Sequence, residues 1–354
     1  MKLVERYINH AIVSGISLVS VILVGLQLFI LFIAQLNDIG HGNYTVGHAL
    51  IYSILMLPNQ LTLFFPNICL LGTLLGLGNL AHSRELLIMR AGGLSIKQVI
   101  FTVLKPACIL IIGISYIGEQ IAPKMVLYAQ NLKMQKMTRG QSLITAEGIW
   151  MREKNNFIYI QSISSNNTLD FVSEFHFNRQ HHLILTRNIR RAYKENDHWI
   201  AEDIQQTHIA SSRTQITTIA QENWNISIDP IMLRFSSHDP ETMTLSQLYH
   251  FLRQAQLNHQ KIARIEIELV QRVLQPFAIL VMMLLAIPFI FGPLRSTTMG
   301  SKFLVGALVG FGFYILNRVF GMLGPILQIS SFILAPIPLL IFTIVGFHLM
   351  RKVR

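Results

Sequence analysis

The chain has 354 residues, 51% of them hydrophobic and only 13% charged, with a formal net charge of +11. A soluble globular protein carries charge on roughly a quarter of its residues, so this composition excludes one. The positive balance is not a nucleic-acid footprint: residues 124–264 carry 16 basic against 12 acidic residues, and no zinc-finger or RNA-binding motif is present.

Three apolar spans are expected within residues 11–123 and three more within 266–350. Ala11 to Leu36 is one unbroken charge-free run, and about twenty apolar residues suffice to cross a hydrocarbon core of about 30 Å. It far exceeds a signal-peptide core of about 7–15 residues and no small-residue cleavage site follows, so it reads as a retained first helix. Residues 39–80 again lack Asp, Glu, Lys and Arg, which is longer than one crossing needs at about 1.5 Å per residue. Two helices there would invert every later loop, so a single long helix from Val46 to Leu80 is expected, bent where Pro58 and Pro66 remove backbone donors.

Between the second and third spans, His82 to Gly93 places charged residues around an apolar stretch. Ser83 is a plausible cap and Gly92 suits a helix end. A solvated turn would leave Leu86, Leu87 and Met89 exposed, so a short amphipathic helix docking into another protein fits better. Cys69 and Cys108 fall in membrane spans and read as small buried hydrophobes.

The polar insert, 124–264, reads as β structure. Phe171, Ser173, Phe175 and Phe177 alternate with Val172, Glu174, His176 and Asn178, and Trp224, Ile226 and Ile228 alternate with Asn225, Ser227 and Asp229. Lys194-Glu195-Asn196-Asp197-His198 reads as a hairpin turn. A sandwich or jelly roll of short antiparallel strands follows, folding on an apolar core alone because the insert has no cysteine. Thr244-Leu245-Ser246-Gln247 starts a helix with a capping box.

Basic residues set the orientation, because they collect on the cytoplasmic side of short loops. Lys2, Arg6, Arg84, Arg90, Lys97, Arg295, Lys302, Arg351, Lys352 and Arg354 all fall on one side of a six-helix topology. Both termini are then cytoplasmic and the insert faces the opposite compartment. The fold class is a polytopic α-helical membrane protein with six transmembrane helices and an inserted all-β, jelly-roll-like periplasmic domain, divided as 1–123, 124–264 and 265–354.

Catalytic chemistry is missing from the sequence. Gly300-Ser301-Lys302 lacks the rest of a phosphate-binding loop, and His181-His182 has no ligand at metal-binding spacing. Facing groups for intramembrane proteolysis are absent from the spans. Among charges at membrane depth, Glu119, Arg272 and Lys105 lie near helix ends and are expected to snorkel. Arg318, beside Asn317, lies deeper and suits either a structural ion pair or an anionic ligand.

Taken together, Phe64-Phe65-Pro66, Leu74-Leu75-Gly76-Leu77-Gly78, the 83–93 segment, Glu119 with Ala122-Pro123, Gly148-Ile149-Trp150, Gln275-Pro276 and Phe289 to Ser296 resemble the LptF/LptG permeases of the Gram-negative lipopolysaccharide exporter. The resemblance spans nearly the whole chain, and Phe289–Ser296 with Met299-Gly300 looks more like the LptG branch. It implies a non-catalytic half of an inner-membrane ABC transporter that serves outer membrane biogenesis. Its partners would be an LptF-like permease, an LptB-like ATPase dimer and an LptC-like membrane-anchored periplasmic protein. The ATPase would bind ATP and Mg, leaving this chain without a cofactor or metal. Residues 83–93 match the family's coupling helix, with Glu85 as the acidic contact to the ATPase and Arg84, Leu86, Met89 and Arg90 beside it.

The family's basic residues at the outer end of the first helix are replaced here by Leu31, Asn37 and Asp38. Two arginines after the third helix are replaced by Gln130 and Lys133, with Lys136 one turn on. Lys133, Lys136 and Arg318 are the residues expected to meet the lipid A phosphates. Other readings are a lipoprotein-releasing-type permease, which predicts fewer helices and an insert after the first, and a non-transporting sensor or scaffold.

Overall fold

The computed structural model describes residues 2–137, 144–153, 156–163, 168–178, 180, 182–195, 198–209, 214–224, 240, 243–257, 263–291, 298–327 and 330–352. They divide into two compact units, one of residues 1–37, 49–129 and 240–354 and one of residues 38–48 and 130–239.

The first unit is helical. It holds α1 (Lys2–Gln35), α2 (Val46–His82), the short α3 (Glu85–Ala91) and α4 (Ile96–Tyr116). After the insert come α6 (Leu245–Leu257), α7 (Ala263–Phe291), α8 (Met299–Leu327), α9 (Ser331–Leu334) and α10 (Ile337–Arg351). Between α4 and α5 (Ala122–Met137) the chain stays helical through a π turn at Ile117–Ile121. Among the described residues six helical spans are long and apolar enough to cross a bilayer, the number expected. The uncharged stretch resolves as the single helix α2, unbroken through Pro58 and Pro66.

At Pro66, helix α2 is completed by a donor from another helix. Pro66 has no N–H, which frees the Thr62 carbonyl one turn earlier. Gln275 of α7 fills that place, its Nε2 donating to the Thr62 carbonyl at 2.6 Å. Two segments quoted above for the resemblance, one around Pro66 and one at Gln275-Pro276, therefore meet in space.

Close backbone approach joins α1 to α2. A Cβ at Gly15 would lie 2.4 Å from the Gly72 carbonyl oxygen, and one at Gly76 would lie 2.4 Å from the Ala11 carbonyl oxygen. Small residues four apart allow this crossing, where lipid-facing helices gain by packing rather than by the hydrophobic effect. Around it lies an apolar core that includes Ile8, Ile12, Ile68, Leu74, Leu77, Val103 and Met282. Helix α7 touches α4, α6, α8, α9 and α10 and so organises the later part of the unit.

The second unit contains one antiparallel sheet among the described residues, β1 (Ile144–Glu153), β2 (Asn156–Ile163), β3 (Leu169–Phe177), β4 (Leu183–Glu195), β5 (His198–Ile209) and β6 (Thr214–Trp224), in sequential order. The inserted β domain is thus present, and its described strands form a meander. Strands β4 and β5 pair antiparallel on either side of the expected 194–198 turn, with Glu195 opposite His198, and Asn196 and Asp197 lie outside the described residues. Ile226 and Ile228 lie outside the described residues, as does His181.

Alternation in β3 holds, but its large aromatics are not the buried set. Leu169, Val172 and Glu174 are buried, whereas Phe171 is 57% exposed. Phe175 instead joins an aromatic stripe, with Trp150 stacked 5.9 Å from it and 4.9 Å from Tyr159. Phe171 and Asp203 both have positive φ, and the pairing skips Phe171 opposite Arg190, and Arg190 opposite Asp203. The register is unchanged on either side of these positions, and Leu169 and Val172 share one core with Ile189, Ala192, Ala201 and Ile204. Buried Glu174 is satisfied there by the Trp224 indole N–H at 2.8 Å and by Arg187 at 3.5 Å.

Candidate coupling helix and membrane cavity

Helix α3 stands in the turn between α2 and α4, and its ends are set by backbone geometry. Ser83 does not cap it: the Ser83 hydroxyl donates back to the Asn79 and Leu80 carbonyls at 3.2 Å, closing α2. The N-cap is Arg84, held at φ 62° without a side-chain cap, a left-handed conformation that costs a non-glycine residue about 1–2 kcal/mol. At the other end the Gly92 N–H donates to the Ile88 carbonyl at 2.9 Å, and Gly93 takes the positive φ of 100°. Ser95 and Gln98 then form a reciprocal capping box that starts α4, a spacing readable in the sequence that the reading above passed over.

This geometry divides the segment into an inner and an outer face. Leu86 is 1% exposed and Met89 packs against the core, so both anchor the helix, contrary to the expectation that they lie on its docking face. Leu87 and Ile88 are the exposed pair, at 51% and 69%. The Glu85 carboxylate accepts a hydrogen bond from the Tyr7 hydroxyl at 2.8 Å. Arg90 places its guanidinium 5.4 Å above the Phe291 ring, a cation–π contact that ties α3 to the end of α7.

A cavity of about 950 Å³ opens within the helical unit, lined by α2, α4, the π turn, α6, α7, α8 and α10 with Ala335. Its wall mixes apolar residues such as Leu63, Val273 and Phe313 with Gln271, Gln275 and Arg318. Gln271 Nε2 donates to the Asn317 carbonyl at 3.0 Å, and Tyr314 stacks on Phe64 at 4.9 Å. Asn67 Oδ1 is buried with no hydrogen-bond partner among the described residues.

The charges expected to snorkel each have a protein partner. Glu119, on the π turn, accepts the Leu245 N–H at 2.7 Å, which places a carboxylate at the positive end of α6. That helix also has the expected capping box, Thr244 N–H to Gln247 Oε1 at 2.9 Å and Gln247 N–H to Thr244 Oγ1 at 3.2 Å. Arg272 donates to the Met243 carbonyl and pairs with Glu268 at 3.3 Å. Lys105 pairs with Glu5. In each case the partner comes from another element or the neighbouring turn, which position along one helix does not reveal.

Of the three cations expected at a phosphate, Arg318 lines the cavity in the first unit, and Lys133 and Lys136 belong to the second. Lys133 pairs with Asp38 at 2.6 Å, and the Lys136 carbonyl accepts the Asn43 N–H at 2.7 Å. Asp38 therefore neutralises Lys133. Among the described residues no three His, Cys, Asp or Glu side chains converge as a metal site would require.

Residues 6–352 match the family model described as lipopolysaccharide export system permease LptF/LptG. The chain is 32% identical over 352 residues to lipopolysaccharide export system permease protein LptG of Haemophilus influenzae, covering 99% of this chain and 98% of that one. It is 33% identical over 352 residues to the LptG protein of Escherichia coli K12, covering 98% of each.

Proposed function

Because the chain belongs to the LptF/LptG family of lipopolysaccharide export permeases, we propose that α3 receives the motion of a separate ATPase and that the helical unit converts it into movement of lipopolysaccharide. The chain is a multi-pass inner-membrane permease subunit and not itself an enzyme. The match over the whole length sets aside the lipoprotein-releasing and scaffold readings.

The observation that carries the proposal is the two-faced construction of α3. Leu86 and Met89 lock it into the membrane core while Leu87, Ile88 and Glu85 remain on its outer side. A short helix anchored this way moves as part of the bundle when a partner pushes on it. Its partners in this reading are an LptB-like ATPase dimer below, an LptF-like permease beside it and an LptC-like protein on the periplasmic side. Glu85 supplies the ionic contact to the ATPase, and ATP and Mg are bound there. Both termini and α3 are cytoplasmic, and the β domain is periplasmic.

Lys133, Lys136 and Arg318 supply positive charge to the lipid A phosphates. A lysine acts as a point charge where an arginine would bind bidentately, and a phosphate at Lys133 has to compete with Asp38. The test is co-expression with an LptB-like ATPase and an LptF-like permease, purification of the complex and measurement of ATP hydrolysis with and without lipopolysaccharide. The expected result is one complex whose hydrolysis responds to the lipid. Failure of the ATPase to co-purify would overturn the coupling role of α3.

A further inference from the structure

Tyr7 lies on α1, seventy-eight positions before the residue its hydroxyl binds. That residue is Glu85, at 2.8 Å, the first residue of α3. We infer that Tyr7 is a positioning residue for coupling, holding the Glu85 carboxylate and tying α1 to α3 so that displacement of α3 tilts α1. The inference rests on the coupling reading of α3 given above.

Three observations support a lever of this kind. First, the cytoplasmic end of α1 is tied twice, by Tyr7 to Glu85 and by Glu5 to Lys105 of α4. Second, the lower half of α1 is seated in the core: Ile8, Ile12, Ile16 and Val19 are buried, and Gly15 meets the α2 backbone at Gly72. Third, between Val19 and Gln35 no α1 residue is buried within this chain, and Val21 and Phe29 are 72% and 61% exposed. Above Val19 the helix is only partly packed, touching the core through Leu23 and burying Gln35 at its end, so displacement of its firmly seated lower half carries along a lightly held upper half.

The α3 side of the link is set for the same purpose. Arg84 takes a left-handed backbone with no side-chain cap, so the entry to α3 is held by tertiary contacts rather than by its own capping. A hydroxyl donating to a carboxylate is a charge-assisted bond, stronger than a neutral one. It fixes one carboxylate oxygen and leaves the other lone pairs to accept from a partner's cation, since an ionised carboxylate has about four acceptor sites. Tyr7 therefore orients Glu85 without consuming its capacity for the ATPase.

The test uses the assembled permease–ATPase complex in proteoliposomes containing lipopolysaccharide, with Tyr7→Phe, Glu85→Ala and the double substitution. Phe fills the space of a ring that is already half exposed and removes only the donor. The expected outcome for Tyr7→Phe is continued ATP hydrolysis with lipid release per ATP reduced about tenfold or more, the scale of one lost hydrogen bond to a charged group. Because the bond needs both groups, Tyr7→Phe should add nothing to Glu85→Ala. Spin labels at Phe29 and Leu308, both on exposed faces, report the tilt directly: trapping the ATPase with vanadate should shift their separation in the parent and much less in Tyr7→Phe. Tyr7→Phe with undiminished release per ATP and an undiminished shift would overturn the inference while leaving the role of Glu85 intact. Undiminished release by Glu85→Ala would instead overturn the coupling reading itself.

Discussion

Gln275 shows how a proline in one membrane helix dictates a residue in another. Pro66 leaves the Thr62 carbonyl without its helical donor, and at membrane depth a side chain from a neighbouring helix can supply one. Gln275→Leu keeps the volume and removes the donor, so it should destabilise the folded protein by about 1 kcal/mol, between the cost of an orphaned buried carbonyl and the smaller values found for polar contacts between membrane helices. A lower midpoint of unfolding in mixed detergent micelles would show it, and an unchanged midpoint would mean that the carbonyl has found another donor. Pro66 and Gln275 were visible in the sequence as parts of a resemblance, but the contact of Gln275 with the carbonyl freed by Pro66 was not, because 213 positions separate Thr62 from Gln275. The same limit explains Glu119, Arg272 and Lys105. Position near a helix end suggests snorkelling, whereas the partners Leu245, Met243 and Glu5 come from parts of the chain that one-dimensional reading cannot bring alongside.

At the scale of elements, local chemistry was legible at several positions where the deciding residues lie within one turn, although Ser83 closes α2 rather than capping α3. The capping box at Thr244, the pairing of Glu195 with His198 and the glycine end of α3 each depend on contacts within four residues, and each is present. What alternation could not reveal is which face of β3 turns inward, because that depends on Arg187 and Trp224 reaching Glu174 from other strands. The contact between α1 and α2 is a similar case. Gly76 was readable as part of a motif, and its physical role is to let the Ala11 carbonyl approach. Gly72→Leu makes the consequence measurable, since even its Cβ would lie 2.4 Å from the Ile16 Cα. Backbone cannot give way as a flexible side chain can, so the helices must part, at a cost of about 1–3 kcal/mol or more. Gly25→Leu is the matched control, because nothing lies within 4 Å of a Cβ there. Thermal unfolding of the purified protein should fall markedly for the first and barely move for the second; equal effects would mean that the crossing is not a tight contact.

At the scale of the whole molecule, the number of crossings determines which compartment each loop enters, and α2 is the element that decides the number. At about 1.5 Å per residue its 37 residues extend for about 55 Å, so one helix accounts for the uncharged stretch and extends well beyond a hydrocarbon core of about 30 Å. Six crossings return the chain to the side where it began. The basic residues Lys2, Arg6, Arg84, Arg90 and Lys97 then share one side with Arg351 and Lys352, and in the topology we propose the rule for positive charge assigns that side to the cytoplasm. Single cysteines test this without disturbing any contact described above. In a protein whose Cys69 and Cys108 are replaced by serine, Ile88→Cys marks α3 and Thr218→Cys marks an exposed position on β6. A membrane-impermeant maleimide added to spheroplasts should label position 218 and leave 88 unlabelled until the membrane is opened, and inside-out vesicles should reverse the pattern. Labelling of position 88 from outside would place α3 beyond the reach of any cytoplasmic ATPase. Protection of both positions in spheroplasts would mean that the two loops share the cytoplasmic side, which an odd number of crossings between residues 88 and 218 forbids.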